Sequence, residues 1–196
     1  YHGALMRGTS QQTFEQFAKV GEAGVTIMVQ DAPLSGVDLP VPLLIKMAKE
    51  IETVKCFKIE CAQAASKLRK LVVEGGDVIE GPFDGEEGIT LFADLEAGAT
   101  GNMSSAMIPD LIRPVVLDYL DGEFDKSEEK YNNILPLINY ENRQCGFRAT
   151  KVIMKEGGVI NSDFCRHPIP PLEEQTKAGL IKLVKKYDPI ALSWGK

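Results

Sequence analysis

Residues 55–60 read Lys-Cys-Phe-Lys-Ile-Glu (KCFKIE), and the placement of this hexapeptide decides the fold. Side chains alternate across a strand. Cys56, Lys58 and Glu60 therefore share one face, and Phe57 and Ile59 share the other. The apolar pair suits contact with covering helices. That leaves a lysine and a glutamate on the opposite face, near the C-terminal strand end where parallel α/β folds place their sites. Burying an ammonium group is costly unless it is paired or neutralised. The segment thus predicts either a structural Lys58–Glu60 ion pair or an amine able to condense with a ketone. Glu60, roughly 6 to 7 Å further along the same face, could move protons at the carbon beside such an imine. Strand spacing alone is compatible with both.

Working outward, upstream of KCFKIE the spacing predicts a helix over 10–22, with Ser10 as N-cap and Phe14, Phe17, Ala18 and Val20 on its apolar face. Val25 to Val29 (VTIMV) reads as a buried strand, followed by a loop rich in turn formers, QDAPLSGVDLP. Pro40 suits the first turn of a helix facing inward through Val41, Leu44, Ile45 and Ala48. Downstream, a helix is expected over 62–73 and a strand over 77–80 ending in the loop Gly81-Pro82-Phe83-Asp84-Gly85. A helix over 87–96 and a strand over 99–103, running into Ser104 and Ser105, complete the alternation. Strands alternating with helices mean a parallel sheet with working loops after each strand. Beyond Pro109 only helices are predicted, over 111–120, 127–140, 147–155 and 172–187. An eightfold barrel takes about 250 residues. Four βα units therefore fit either a small open α/β sheet with a helical tail or half a barrel.

A net charge of −6 opposes any general electrostatic hold on nucleic acid or an anionic membrane surface. There is no apolar run of the roughly 18 residues that span a bilayer, and no signal-peptide pattern, so a cytoplasmic location is expected. The chain starts at Tyr1 rather than a methionine, which raises the expectation of a longer gene product. Cys56, Cys61, Cys145 and Cys165 form no CxxC pair, and His2 and His167 stand far apart, so reduced thiols and no metal are expected. Phosphate-cradling, dinucleotide-binding and serine-hydrolase motifs are absent. Among lesser candidates, Asp31 fits a loop cap or a ligand equally well, and Gly81 fits a turn or a close backbone approach to a ligand. Asp84, Glu86 and Glu87 form an acidic helix start that the helix dipole explains.

The order of these segments resembles the dihydrodipicolinate synthase / N-acetylneuraminate lyase superfamily of class I aldolase barrels. The family's Tyr-Asn-x-Pro strand end is matched by Gln30-Asp31-Ala32-Pro33, and its Gly-Ile-Lys-Glu by Phe57-Lys58-Ile59-Glu60. Its Ser-Gly-Asp is matched by Glu80-Gly81-Pro82, and its Gly-Ala-x-Gly-x-Ile-Ser by Gly98 to Ser104, with Met103 at the isoleucine. The resemblance implies the C-terminal half of a (β/α)8 TIM barrel over 1–108, then the last barrel helix and a C-terminal helical region over 109–196. It implies Lys58 and Glu60 as catalytic residues and Gln30, Pro33, Gly81 and Met103 as substrate-binding ones. It further implies a small 2-keto acid substrate held as a covalent Schiff base, no metal or other cofactor, and a homotetramer. The N-terminal half of the barrel, with the carboxylate-gripping loop, would be the missing partner.

The departures from the family also inform. The family tyrosine, a proton relay, is Gln30, and the arginine that follows it is absent from Pro33-Leu34-Ser35-Gly36. Both point away from lysine biosynthesis. Glu60 adds a carboxyl beside the imine, which suits loss of water better than cleavage of a carbon–carbon bond. QDAPLSGVDLP, FKIE and the ending PIALSWGK are most similar to the L-2-keto-3-deoxyarabonate dehydratases, which form 2-oxoglutarate semialdehyde. Other outcomes are a 5-keto-4-deoxyglucarate dehydratase, a 2-keto-3-deoxy acid aldolase, or a non-catalytic keto-acid-binding regulator.

Overall fold

The computed structural model describes residues 8–32 and 38–196. The chain forms two compact units, one of residues up to Glu86 together with Thr90–Met103, the other of Glu87–Ile89 and Ser104–Lys196.

The first unit alternates helix and strand: α1 (Ser10–Gly21), β1 (Ile27–Asp31), α2 (Val41–Glu50), β2 (Val54–Ile59), α3 (Ala64–Gly75), β3 (Glu80–Asp84), α4 (Leu91–Glu96) and β4 (Gly101–Asn102). The four strands lie in the order β1-β2-β3-β4, and every neighbouring pair is parallel. Phe57, Ile59 and Val29 are fully buried with Leu43, Leu44, Met47, Leu68 and Leu71 of α2 and α3. Each such side chain contributes roughly 1.5–3 kcal/mol of burial. The predicted alternation in β2 is therefore realised: its apolar face is the core, and Cys56 and Lys58 turn the other way.

Several boundaries move for physical reasons. The N-cap of α1 is Thr9, not Ser10: Thr9 Oγ1 accepts from the Gln12 N–H at 3.2 Å, and Gln12 Oε1 accepts from the Thr9 N–H at 2.9 Å. That reciprocal pair satisfies two helix-end donors, which Ser10 would not. β1 starts at Ile27 rather than Val25, which is 68% exposed, and it extends to take in Gln30 and Asp31. β3 is the larger correction. The segment expected to be a loop, Gly81 to Asp84, is itself the strand, while Gly76–Val78 forms a 3-10 turn. Pro82 lacks an N–H, but its carbonyl accepts from Thr100 N–H at 2.8 Å, so the pairing with β4 survives it. α4 begins at Leu91 rather than Glu87, because Glu87 has φ of +57°, outside helical space.

The second unit is helical: α5 (Pro109–Leu120), α6 (Phe124–Tyr140), a π-helical turn (Glu141–Cys145), α7 (Arg148–Glu156), α8 (Glu174–Val184) and a 3-10 turn (Ile190–Leu192). Ser127 Oγ donates to Val115 O at 2.8 Å, tying α6 to α5. The C-terminal turn lies against bare backbone at Gly157, where a Cβ would come within 1.7 Å of Ala191 O. Among the described residues no helix is long and apolar enough to cross a membrane.

Candidate active site on the open face of the sheet

β1 and β2 pair with Gln30 opposite Lys58. Lys58 Nζ lies 3.0 Å from Glu60 Oε2, with the two side chains only 14% and 21% exposed. Gln30 Nε2 donates to the same carboxylate oxygen. The Glu60 backbone N–H donates to Asp31 O at 2.9 Å, which fixes the residue just beyond the strand end. An amine, a carboxylate and an amide are thus gathered at one strand end. The carboxylate is pinned between a cation and a neutral donor, and it stands within proton-transfer reach of the amine.

β3 supplies the wall. Phe83 pairs with Lys58, and its ring lies against two glycines: a Cβ on Gly81 would approach it to 3.0 Å and one on Gly101 to 2.8 Å. Beyond the strand, Gly85 N–H donates to Ile59 O at 2.9 Å. A Cβ at Gly85 would stand 2.8 Å from Glu60 Cβ, 2.8 Å from Ile59 O and 2.9 Å from Lys58 Cε. Only glycine lets this turn come so close to the lysine.

This corrects the place of Gly81. It lies early in β3, between Glu80, which pairs with Cys56, and Phe83, which pairs with Lys58. There it makes room for the Phe83 ring, and Gly85 is the glycine that meets the lysine. Gly-Pro reads locally as the end of a strand, which hides Gly85; a strand frame running to Asp84 brings it to the site. Met103 follows β4, donates its N–H to Asp84 O at 2.9 Å and is 37% exposed. Pro33 and His2 lie outside the described residues. His167 is exposed. Asp31 is a cap: its Oδ1 accepts the Leu39 N–H at 3.1 Å and its Oδ2 pairs with Lys67 Nζ at 2.5 Å. Burial pulls the Lys67 pKa down, but its hydrogen bonds to Asp31 and Asp38 outweigh this and hold it above the ordinary lysine value.

The thiols are poor rivals to Lys58 as nucleophile. Burial, then the charge of Glu80, pushes Cys56 up, and burial pushes Cys61 up to about 11. Among the described residues no group of three or more His, Cys, Asp or Glu is arranged to hold a metal ion. The helical unit has its own buried acid. Glu141 is 3% exposed, and burial pushes it up to about 7, although a hydrogen bond from Ser105 opposes this.

Residues 6–187 match the profile described as the dihydrodipicolinate synthetase family. The chain belongs to that family. It is 51% identical over 195 residues to the L-2-keto-3-deoxyarabonate dehydratase of Azospirillum brasilense, covering 99% of this chain and 63% of that protein. It is 24% identical over 189 residues to the 4-hydroxy-tetrahydrodipicolinate synthase of Helicobacter pylori (strain P12), covering 94% of this chain and 62% of that one. The dihydrodipicolinate synthase of Rhodopseudomonas palustris superposes with a TM-score of 0.80 at 24% identity, covering 91% of this chain and 62% of that chain. The Aquifex aeolicus synthase does so at 0.84 with 20% identity, covering 93% and 62%. At these identities the superpositions bear on the fold alone, an α/β fold built on a parallel sheet. The chain spans about 63% of the length of the dehydratase relative.

Proposed function

We propose that the protein is a Schiff-base hydro-lyase that removes water from a 2-keto-3-deoxy sugar acid, converting L-2-keto-3-deoxyarabonate to 2-oxoglutarate semialdehyde. The observation that carries this is the Lys58–Glu60–Gln30 constellation, with Lys58 Nζ 3.0 Å from Glu60 Oε2. Its support is the 51% identity to the Azospirillum brasilense dehydratase. In the same proposal, the four parallel strands are the later half of an eight-stranded barrel, and a preceding half supplies the grip on the substrate carboxylate. Residues 109–196 are the last barrel helix and a helical extension, and the assembly is a homotetramer.

In the proposed mechanism, Lys58 gives its proton to Glu60 and the free amine attacks the C2 ketone. Glu60 returns that proton to the carbinolamine hydroxyl, which leaves as water; the iminium ion so formed acidifies C3 and Glu60 is again a carboxylate. Glu60, two residues along the same strand face, takes a C3 proton and forms an enamine. It then returns that proton to the C4 hydroxyl as the hydroxyl leaves. The double bond moves on by loss of a C5 proton and gain of one at C3. The resulting C4–C5 enol becomes the aldehyde, and water releases Lys58. Gln30 cannot ionise, so its amide serves to orient the Glu60 carboxylate. Metal chemistry is not part of the scheme.

Two measurements on the full-length protein test it. Borohydride reduction in the presence of pyruvate should fix a three-carbon adduct on Lys58, located by peptide mass spectrometry. Turnover of the sugar acid should yield the semialdehyde; release of pyruvate would instead identify an aldolase. A folded protein with no adduct on Lys58 would return the Lys58–Glu60 pair to a structural ion pair.

A further inference from the structure

The short strand β4 has two residues with different roles. Gly101 lies opposite Phe83 and leaves room for its ring, whereas Asn102 lies opposite Asp84. Asp84 is fully buried, and its carboxylate joins two segments. Asn102 Nδ2 donates to Asp84 Oδ2, and the Glu86 backbone N–H donates to Asp84 Oδ1 at 2.9 Å. The second bond makes an Asx-turn, in which an aspartate side chain binds the backbone amide two residues on. Gly85 is the residue enclosed by that turn. Its own N–H donates to Ile59 O at 2.9 Å, and a Cβ added to it would stand 2.9 Å from Lys58 Cε. A continuous line of contacts therefore runs from the Asn102 amide, through Asp84 and the Gly85 turn, to the stem of the lysine.

The Asn102 amide is oriented by the carboxylate that it meets. Only Nδ2 can face that group, because Oδ1 would set lone pairs against lone pairs. Oδ1 is accordingly buried without a hydrogen-bond partner. A buried acceptor left bare is a standing cost to the fold, and an apolar side chain of similar size would not carry it. Nor does the pairing of the strands need this side chain. Backbone bonds already join β3 to the β4 segment, from Thr100 N–H to Pro82 O at 2.8 Å and from Met103 N–H to Asp84 O at 2.9 Å. What the Asn102 side chain adds is a neutral donor that aligns the Asp84 carboxylate with the Glu86 N–H.

We propose that Asn102 is a positioning residue: through Asp84 it holds the Gly85 turn against the Lys58 stem and so fixes where the lysine amine stands. The catalytic consequence rests on the Schiff-base assignment of Lys58; the mechanical link from Asn102 to the turn does not.

The test uses the full-length protein with Asn102→Leu, which keeps the size of the side chain and removes the donor, with Asp84→Ala, which removes the carboxylate, and with the double variant. In Asn102→Leu, borohydride trapping at saturating pyruvate should slow about tenfold while the half-saturating concentration moves less than about twofold, since small misplacement of a reacting group is costly in rate. Amide hydrogen exchange at Gly85 should quicken about tenfold in the same variant. Because Asn102 acts through Asp84, the double variant should trap no more slowly than Asp84→Ala alone. A general loss of stability would instead multiply the two losses and spread faster exchange over the whole sheet. A wild-type trapping rate or wild-type Gly85 exchange in Asn102→Leu would overturn the proposal, and so would multiplied losses in the double variant. If Asp84→Ala does not fold, the isosteric Asp84→Asn takes its place in the comparison. Should the wild type trap nothing on Lys58, the Schiff-base assignment fails, and Gly85 exchange across the same variants alone decides whether Asn102 holds the turn.

Discussion

Replacing Gly85 by alanine is the most direct probe of how the sheet builds the site. The new Cβ would sit 2.8 Å from Glu60 Cβ, 2.8 Å from Ile59 O and 2.9 Å from Lys58 Cε. Ordinary carbon–carbon contact is about 3.5–4.0 Å, so the neighbours must withdraw by roughly half an ångström to one ångström. Lys58 Cε is far along a flexible chain and can move. Ile59 O and Glu60 Cβ cannot without shifting β2, and Ile59 is fully buried in the core. Overpacking of this kind costs about 1–3 kcal/mol. With a urea dependence of about 1–3 kcal/mol per molar, the unfolding midpoint should fall by about 1 M. Displacement of the amine by about an ångström should slow borohydride trapping with pyruvate by about 100-fold. The control is Gly8→Ala, whose Cβ would meet its neighbours at an ordinary 3.6 Å; it should leave both measurements unchanged. Should Gly85→Ala trap at the wild-type rate and unfold at the wild-type urea concentration, the close approach of this turn to Lys58 has no mechanical meaning.

Three further outcomes are expected. Lys67→Met leaves Asp31 buried without its cation, so urea unfolding should report a loss of about 3–5 kcal/mol. An unchanged midpoint would show that Asp31 needs no partner. Glu141, pushed up to about 7 from 4.5 by burial, keeps its proton in the folded state while the unfolded chain has lost it. Stability should therefore fall as pH rises between about 4.5 and about 7 and level off above, by about 3 kcal/mol in all. Glu141→Gln should remove that slope and be the more stable protein near pH 8; parallel curves for variant and wild type would refute the assignment. Phe57→Ala, at a fully buried position, should cost about 3–5 kcal/mol in the same assay, and a loss below about 1 kcal/mol would mean that the β2 face packs loosely.

The sequence by itself determined the alternation. Period-2 patterning in KCFKIE put Lys58 and Glu60 on one face and Phe57 and Ile59 on the other, because the pleat allows no third choice. The helical tail was legible for the same reason: its apolar periodicity is local, so helices were expected where α5 to α8 lie, with ends moved by a few residues. β3 was not legible. Gly-Pro signals a turn when only the chain neighbours are considered, yet β2 and β4 on either side supply the hydrogen bonds that make Glu80–Asp84 a strand. That error carried Gly85 out of view, since which glycine meets Lys58 depends on register between strands, a relation between distant segments that no local pattern encodes. The same holds for Gln30 and Glu60, thirty positions apart and joined by one hydrogen bond. Sequence periodicity decides which face a side chain takes; only the packed sheet decides which side chains meet.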